Sequence, residues 1–134
     1  MNLNPLLDAP LAIQIHVATI LPAFLIGGWL IFLSRKGSPA HRALGGLYLT
    51  LMAATAIAAA FIPAAIGPRI GPFGPIHLFV LLTFWGLFNA VRGIQTRDIP
   101  RHRRAVYGTY FYAILIAGAL TFLPGRLMYR LVFG

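Results

Sequence analysis

Apolar positions gather into four long runs, at residues 11–33, 43–65, 76–91 and 105–123, with polar breaks between them. A bilayer is crossed by about 20 helical residues at 1.5 Å per residue. None of the runs carries Asp, Glu, Lys or Arg in its middle. The third is the shortest and is expected to use flanking residues at both ends. The pattern predicts an all-α, integral membrane four-helix up-and-down bundle in a single domain, residues 1–134. Short breaks make successive helices antiparallel neighbours.

Smaller features refine the helices. In the first run Ala12, His16, Thr19, Ala23 and Gly27 recur at helical spacing, which marks a packing face. Pro22 lies in the same run, lacks the N–H for the Ala18 carbonyl, and is expected to kink the helix. The second run holds Ala54/Ala58 and Ala56/Ala60, small-xxx-small pairs that let membrane helices approach. Pro124-Gly125 ends the fourth run. The tail after it, residues 125–134, places Arg126 and Arg130 four apart among apolar neighbours, as in a short interfacial helix; a frayed apolar end is the alternative.

Composition agrees with the pattern. Hydrophobic residues make up 59% of the chain and charged ones 10%, against roughly 25% charged in soluble proteins. The net charge of +9 would suggest nucleic acid in a soluble protein. Here the charges sit between membrane runs, so orientation and lipid phosphates account for them and no nucleic-acid partner is expected. Arg35, Lys36, Arg42, Arg92, Arg97, Arg101, Arg103 and Arg104, eight of the eleven basic residues, occupy the first and third breaks. The positive-inside rule places those breaks in the cytoplasm of a bacterial inner membrane, with both termini outside. The N-terminal MNLNPLLDAP has no Lys or Arg, so the first run is expected to be retained and not cleaved as a signal peptide. There is no cysteine, which excludes disulfides and thiolate-held metals.

The candidate chemistry lies in the four histidines, one per run and each near its start. Three follow a Pro-x-His pattern: Pro39-Ala-His41, Pro75-Ile-His77 and Pro100-Arg-His102. Proline suits the first helical turn, where its missing N–H is not needed. The helix dipole there disfavours imidazolium and leaves the neutral, metal-binding form. Topology then sorts the residues by membrane side, His16 with His77 outside and His41 with His102 inside. In a four-helix bundle each pair is diagonal, about 11–14 Å apart for neighbouring axes of 8–10 Å, a span for two imidazoles with one iron between them. His16 lies roughly 6 Å deeper than His77 along its helix, which tilt or the Pro22 kink would have to absorb. Two bis-histidine haem b groups are thus permitted. Arg42, Arg103 and Arg104 are candidates for the inner propionates and Arg69 for the outer ones.

Two other readings remain open. In one the histidines serve only as caps and loop or phosphate contacts; in the other they bind a non-haem metal, which would lack a third ligand because the two acids, Asp8 and Asp98, lie in opposite flanks. Among the remaining polar and aromatic residues, Asn89 and Gln14 are expected to make interhelical hydrogen bonds. Trp85 is expected in the core, with a cofactor pocket as the alternative. Tyr107, Tyr110 and Tyr112 are expected to anchor at the interface. No nucleophile–base pair, phosphate-binding glycine loop or carboxylate dyad is present.

The stretches RKGSPAHRALGGLYLTLM (Arg35 to Met52), GPIHLFVLLT (Gly74 to Thr83), RDIPRHRRAVYGTY (Arg97 to Tyr110) and AGALTFLPGRLMY (Ala117 to Tyr129), with LPAFLIGGWLIF in the first run, carry a likeness. In that order they resemble a family of small bacterial membrane proteins classed as domain of unknown function 2306. The resemblance implies a four-helix membrane domain and brings no activity with it. The layout of paired histidines also resembles cytochrome b561-type membrane haem proteins, in architecture alone. The expectation from these readings is a b-type haem electron-transfer protein in the lipid bilayer, exchanging electrons with quinone. The alternative is a non-catalytic accessory or assembly subunit of a larger membrane complex; a homodimer is compatible with either.

Overall fold

Four helical rods lie side by side in a computed structural model of the chain, which describes residues 3–62, 75–123 and 126–133. Arg69, the rest of the second break, and Pro124-Gly125 lie outside the described residues. A short helix α1 (Asn4–Leu7) precedes the first rod, α2 (Leu11–Gly28), which runs on as a π-helical turn, Trp29–Leu33. The second and third rods are α3 (Pro39–Ala60) and α4 (Pro75–Gln95). The fourth rod is composite: α5 (Ile99–Gly108), a π-helical stretch (Thr109–Ile116) and α6 (Ala117–Leu120). Helix α7 (Leu127–Phe133) follows and packs against α1. No strand occurs among the described residues.

The first three rods, over Leu11–Leu33, Pro39–Ala60 and His77–Gln95, are each long and apolar enough to cross a membrane. Successive rods pack together, α2 on α3, α3 on α4 and α4 on α5, and the π-helical stretch of the fourth rod returns to α2. This closes the all-α four-helix bundle. Leu25, Leu81 and Trp85 are among the large apolar side chains turned outward, as lipid contact requires.

Several helices are longer than their apolar runs, because a helix starts at its cap and not where polar sequence ends. Helix α3 begins at Pro39 and not near residue 43, since Ser38 Oγ accepts the His41 backbone N–H at 3.1 Å. The fourth rod begins at Ile99 and not near residue 105, since the Asp98 carboxylate accepts the Arg101 N–H at 3.2 Å. Helix α4 has 21 residues and is not short. It ends in a six-to-one turn, with Asp98 N–H donating to the Gly93 carbonyl at 2.7 Å and Arg97 N–H to that of Ile94 at 3.2 Å. Arg97 there takes a positive φ of 56°. Helix α2 runs through Pro22 without interruption, and its departure from α geometry comes later, at Trp29.

Ala23, Tyr48, Met52, Leu87, Tyr110 and Ile114 belong to one buried cluster. Gly27 is where three rods meet: a Cβ on it would stand 2.7 Å from Tyr110 Cδ2 and 2.8 Å from Tyr48 Cε2. Seen from α2, the packing face is the small-residue stripe, with Ala23 and Gly27 buried. Ala56 and Ala58 are buried on α3. Tyr110 is therefore a core residue and not an interfacial anchor, while Tyr107 and Tyr112 are exposed.

Candidate functional site

A ring nitrogen of each histidine is hydrogen-bonded, and the partner fixes which nitrogen carries the proton, because a carbonyl oxygen only accepts. His16, on α2, donates from Nδ1 to the Thr55 carbonyl of α3 at 3.1 Å. His102, on α5, donates from Nδ1 to the Ala90 carbonyl of α4 at 2.8 Å. His41 Nδ1 lies 2.7 Å from Ser34 Oγ. That hydroxyl spends its own proton on the Leu30 carbonyl at 2.7 Å, so His41 is the donor. In these three the lone pair is on Nε2. His77 is the reverse: Nε2 donates to the Ile62 carbonyl at 2.8 Å.

The pairing by end of the bundle is visible in these contacts. His41 and His102 lie at the arginine-rich end, in the first turns of α3 and α5. Lys36 Nζ caps the end of the first rod, donating to the carbonyls of Leu30, Ile31 and Ser34. The other two histidines meet successive parts of α3 at the opposite end, His16 at Thr55 and His77 just past Ala60 at Ile62.

Between the rods at that opposite end is a cavity of ≈ 550 Å³, within the range of small-molecule and cofactor sites. All four rods line it, and its surface is mainly apolar, from Ile20, Phe24, Met52 and Val80 among others. Thr55, Thr83 and Thr121 add hydroxyls whose protons are already used. They donate to Thr19 Oγ1 at 2.7 Å, the Phe79 carbonyl at 2.6 Å and the Gly118 carbonyl at 2.5 Å. Two polar groups of the lining stay uncommitted, His16 Nε2 and the Arg126 guanidinium. No buried side-chain nitrogen or oxygen among the described residues lacks a partner, so the unbonded Nε2 keeps some accessible surface, on a residue that lines the cavity. Thr19 accepts from Thr55 and donates to the carbonyls of Ile15 and His16, so the imidazole sits in a network that ties α2 to α3.

The other candidates are distributed differently. His77 is not in the cavity lining; Arg69 lies outside the described residues. Arg42, Arg103 and Arg104 are exposed at the arginine-rich end, away from this cavity. No group of three or more His, Cys, Asp or Glu side chains comes together among the described residues. A metal held by side chains alone is therefore unsupported; haem, whose macrocycle supplies four nitrogens, needs only axial ligands.

Asn89 makes the expected interhelical bond, accepting from Arg101 Nε at 2.8 Å. Gln14 instead holds the end of α1, donating to the carbonyls of Leu7 and Ala9 at 3.1 and 2.8 Å. Trp85 is not in the core: it is 65% exposed and stacks on Phe88 at 6.1 Å. Sequence reasoning missed Arg126 as a cavity residue, placing it only in an interfacial tail. Met52 and Met128, the cavity's two thioethers, were also missed. Nothing in a string of apolar letters distinguishes a methionine on a cavity from one facing lipid.

Among protein families, the model described as predicted membrane protein (DUF2306) matches residues 13–132. No curated protein and no solved structure matches the chain.

Proposed function

The chain belongs to the DUF2306 family of predicted membrane proteins, and from that premise we propose that it is a membrane-embedded haem b protein that transfers electrons with a lipid-soluble partner such as quinone. The observation that carries the reading is His16. Its Nδ1–H is held by the Thr55 carbonyl, its Nε2 is left unbonded, and the residue lines a mainly apolar cavity of ≈ 550 Å³. Anchoring of the remote ring nitrogen by a carbonyl is the arrangement that orients a ligating imidazole. Arg126 at the same cavity suits a propionate carboxylate. Met128 is a lining side chain that would offer a second donor atom for iron. When bound, haem supplies one-electron redox chemistry; the chain excludes water from it with apolar walls and orients it through His16.

This revises the symmetric two-haem scheme. His77 spends Nε2 on Ile62 and does not line the cavity, so the proposed outer site rests on His16 with a different second ligand. His41 bonds across to Ser34 at the end of the first rod and His102 to the Ala90 carbonyl of α4; neither lines the cavity, and they carry no proposed haem. The eight basic residues of the first and third loops face the cytoplasm in this reading, with the cavity in the outer half of the bilayer.

The test is the absorption spectrum of protein purified after haem-supplemented expression. A Soret band that is lost in His16→Ala and kept in His77→Ala is expected. Absence of the band from the native protein, or its survival in His16→Ala, would overturn the proposal.

A further inference from the structure

A second concavity lies on the outer surface of the bundle, in the groove between α4 and the fourth rod, and reaches toward the arginine-rich end. It encloses ≈ 360 Å³. Trp85 and Tyr112 flank its apolar part, and Asn89, Arg101 and Arg104 line its polar part. It shares Phe79, Thr83 and Ala113 with the wall of the inner cavity, but none of the histidines lines it.

The polar part is organised around Arg101. Asn89 donates its amide to the Trp85 carbonyl at 2.8 Å, which fixes its Oδ1 to accept from Arg101 Nε at 2.8 Å. The guanidinium also lies over the Phe88 ring, 5.9 Å from its centre. These contacts hold the planar group while leaving both terminal nitrogens without a hydrogen-bond partner among the described residues. Arg104 follows three residues later on the same helix and is exposed. Among the described residues no carboxylate pairs with either arginine; Asp98 is engaged in capping α5 through the Arg101 backbone N–H. A fixed fork beside a second cation matches a phosphate diester, which accepts two parallel N–H bonds.

The apolar part opens at Gly108. Nothing lies within 4 Å of the position its Cβ would take, although glycine is disfavoured in a helix relative to alanine. By contrast, a Cβ on neighbouring Gly86 would meet Thr109 Cγ2 at 2.6 Å, so that glycine serves helix contact. Gly108 leaves room for something outside the protein. On a bilayer-facing surface, directly below two cations, that space suits an acyl chain.

We propose that this groove is a binding site for one anionic phospholipid, with its phosphate on Arg101 and Arg104 and an acyl chain over Gly108 between Trp85 and Tyr112. The site is independent of the haem reading. Native mass spectrometry of the full chain, with phosphatidylglycerol and phosphatidylcholine offered in equal amounts, tests it. Preferential retention of one phosphatidylglycerol is expected. Arg101→Gln with Arg104→Gln should weaken that retention at least about tenfold, two lost arginine contacts being involved. Gly108→Leu, whose Cβ meets no neighbour within 4 Å, should also displace the lipid while leaving helix content unchanged. Arg103→Gln, on an exposed arginine outside the groove, should leave retention as it is. Equal retention of both lipids, an equal loss in Arg103→Gln, unaltered binding in Gly108→Leu, or displacement by excess inorganic phosphate would each overturn the proposal.

Discussion

A single atom can decide how two helices meet, and the glycines of this bundle are the clearest case. A Cβ on Gly93 would lie 2.6 Å from the backbone nitrogen of His102 and 2.9 Å from its Cα. Backbone cannot swing aside as a flexible side chain can, so α4 and α5 would have to separate. Gly93→Ala is expected to destabilise the protein by about 1–3 kcal/mol, the cost of overpacking a tight contact, as read by unfolding in mixed micelles. The same change should stretch the His102–Ala90 bond, which bridges the same two helices. Buried hydroxyls make a smaller contribution. Tyr48 donates to Thr109 Oγ1 at 2.9 Å, since Thr109 gives its own proton to the Val106 carbonyl. Tyr48→Phe is expected to cost about 0.6–1.7 kcal/mol in the same measurement, the range for interhelical hydrogen bonds in a membrane. None of the residue types involved is unusual in an apolar run. Their roles depend on which neighbour stands opposite.

At the scale of elements, the helix starts were readable and the helix interiors were not. Ser38-Pro39 and Asp98-Ile99-Pro100 are capping sequences, and both rods begin there. Taking the start of apolar sequence as the start of helix put these boundaries several residues late. The π-helical turns at Trp29–Leu33 and Thr109–Ile116 carry no comparable sign. They widen the backbone where Gly27, Tyr48 and Tyr110 crowd together, a matter of contacts between rods. The turn from α4 to α5 offers a local test. Arg97 occupies the left-handed position that glycine fills at lowest cost. Arg97→Gly is expected to be neutral to stabilising, by up to about 1 kcal/mol, against the usual direction for a glycine substitution. Loss of stability in mixed-micelle unfolding would contradict it.

For the whole molecule, the charge asymmetry predicts an orientation that can be measured directly. The chain has no cysteine, so single cysteines report position without background. With the arginine-rich loops inside, Thr96→Cys should be shielded from a membrane-impermeant maleimide in intact cells, and Asp8→Cys labelled. The reverse pattern would invert the topology and move the His16 cavity to the inner leaflet. Pairing of histidines by end was legible from topology alone, since His41 and His102 share one end and His16 and His77 the other. Which ring nitrogen each would spend was not legible, because the acceptors Thr55 and Ile62 are backbone carbonyls of a different rod.

Four apolar runs, few charges and capped starts determined by themselves that this chain is an all-α membrane bundle with eight of its eleven basic residues in the first and third loops. Those properties depend on transfer to lipid and on local hydrogen bonds, which act along a short stretch of chain. The tertiary structure alone decided that His16 lines a cavity while His77 is occupied, that Arg126 and two methionines join that cavity, and that Trp85 and Arg101 flank a groove on the lipid side. Apolar sequence looks alike whether it meets lipid, another helix or an open space; only the packing of the rods tells these apart.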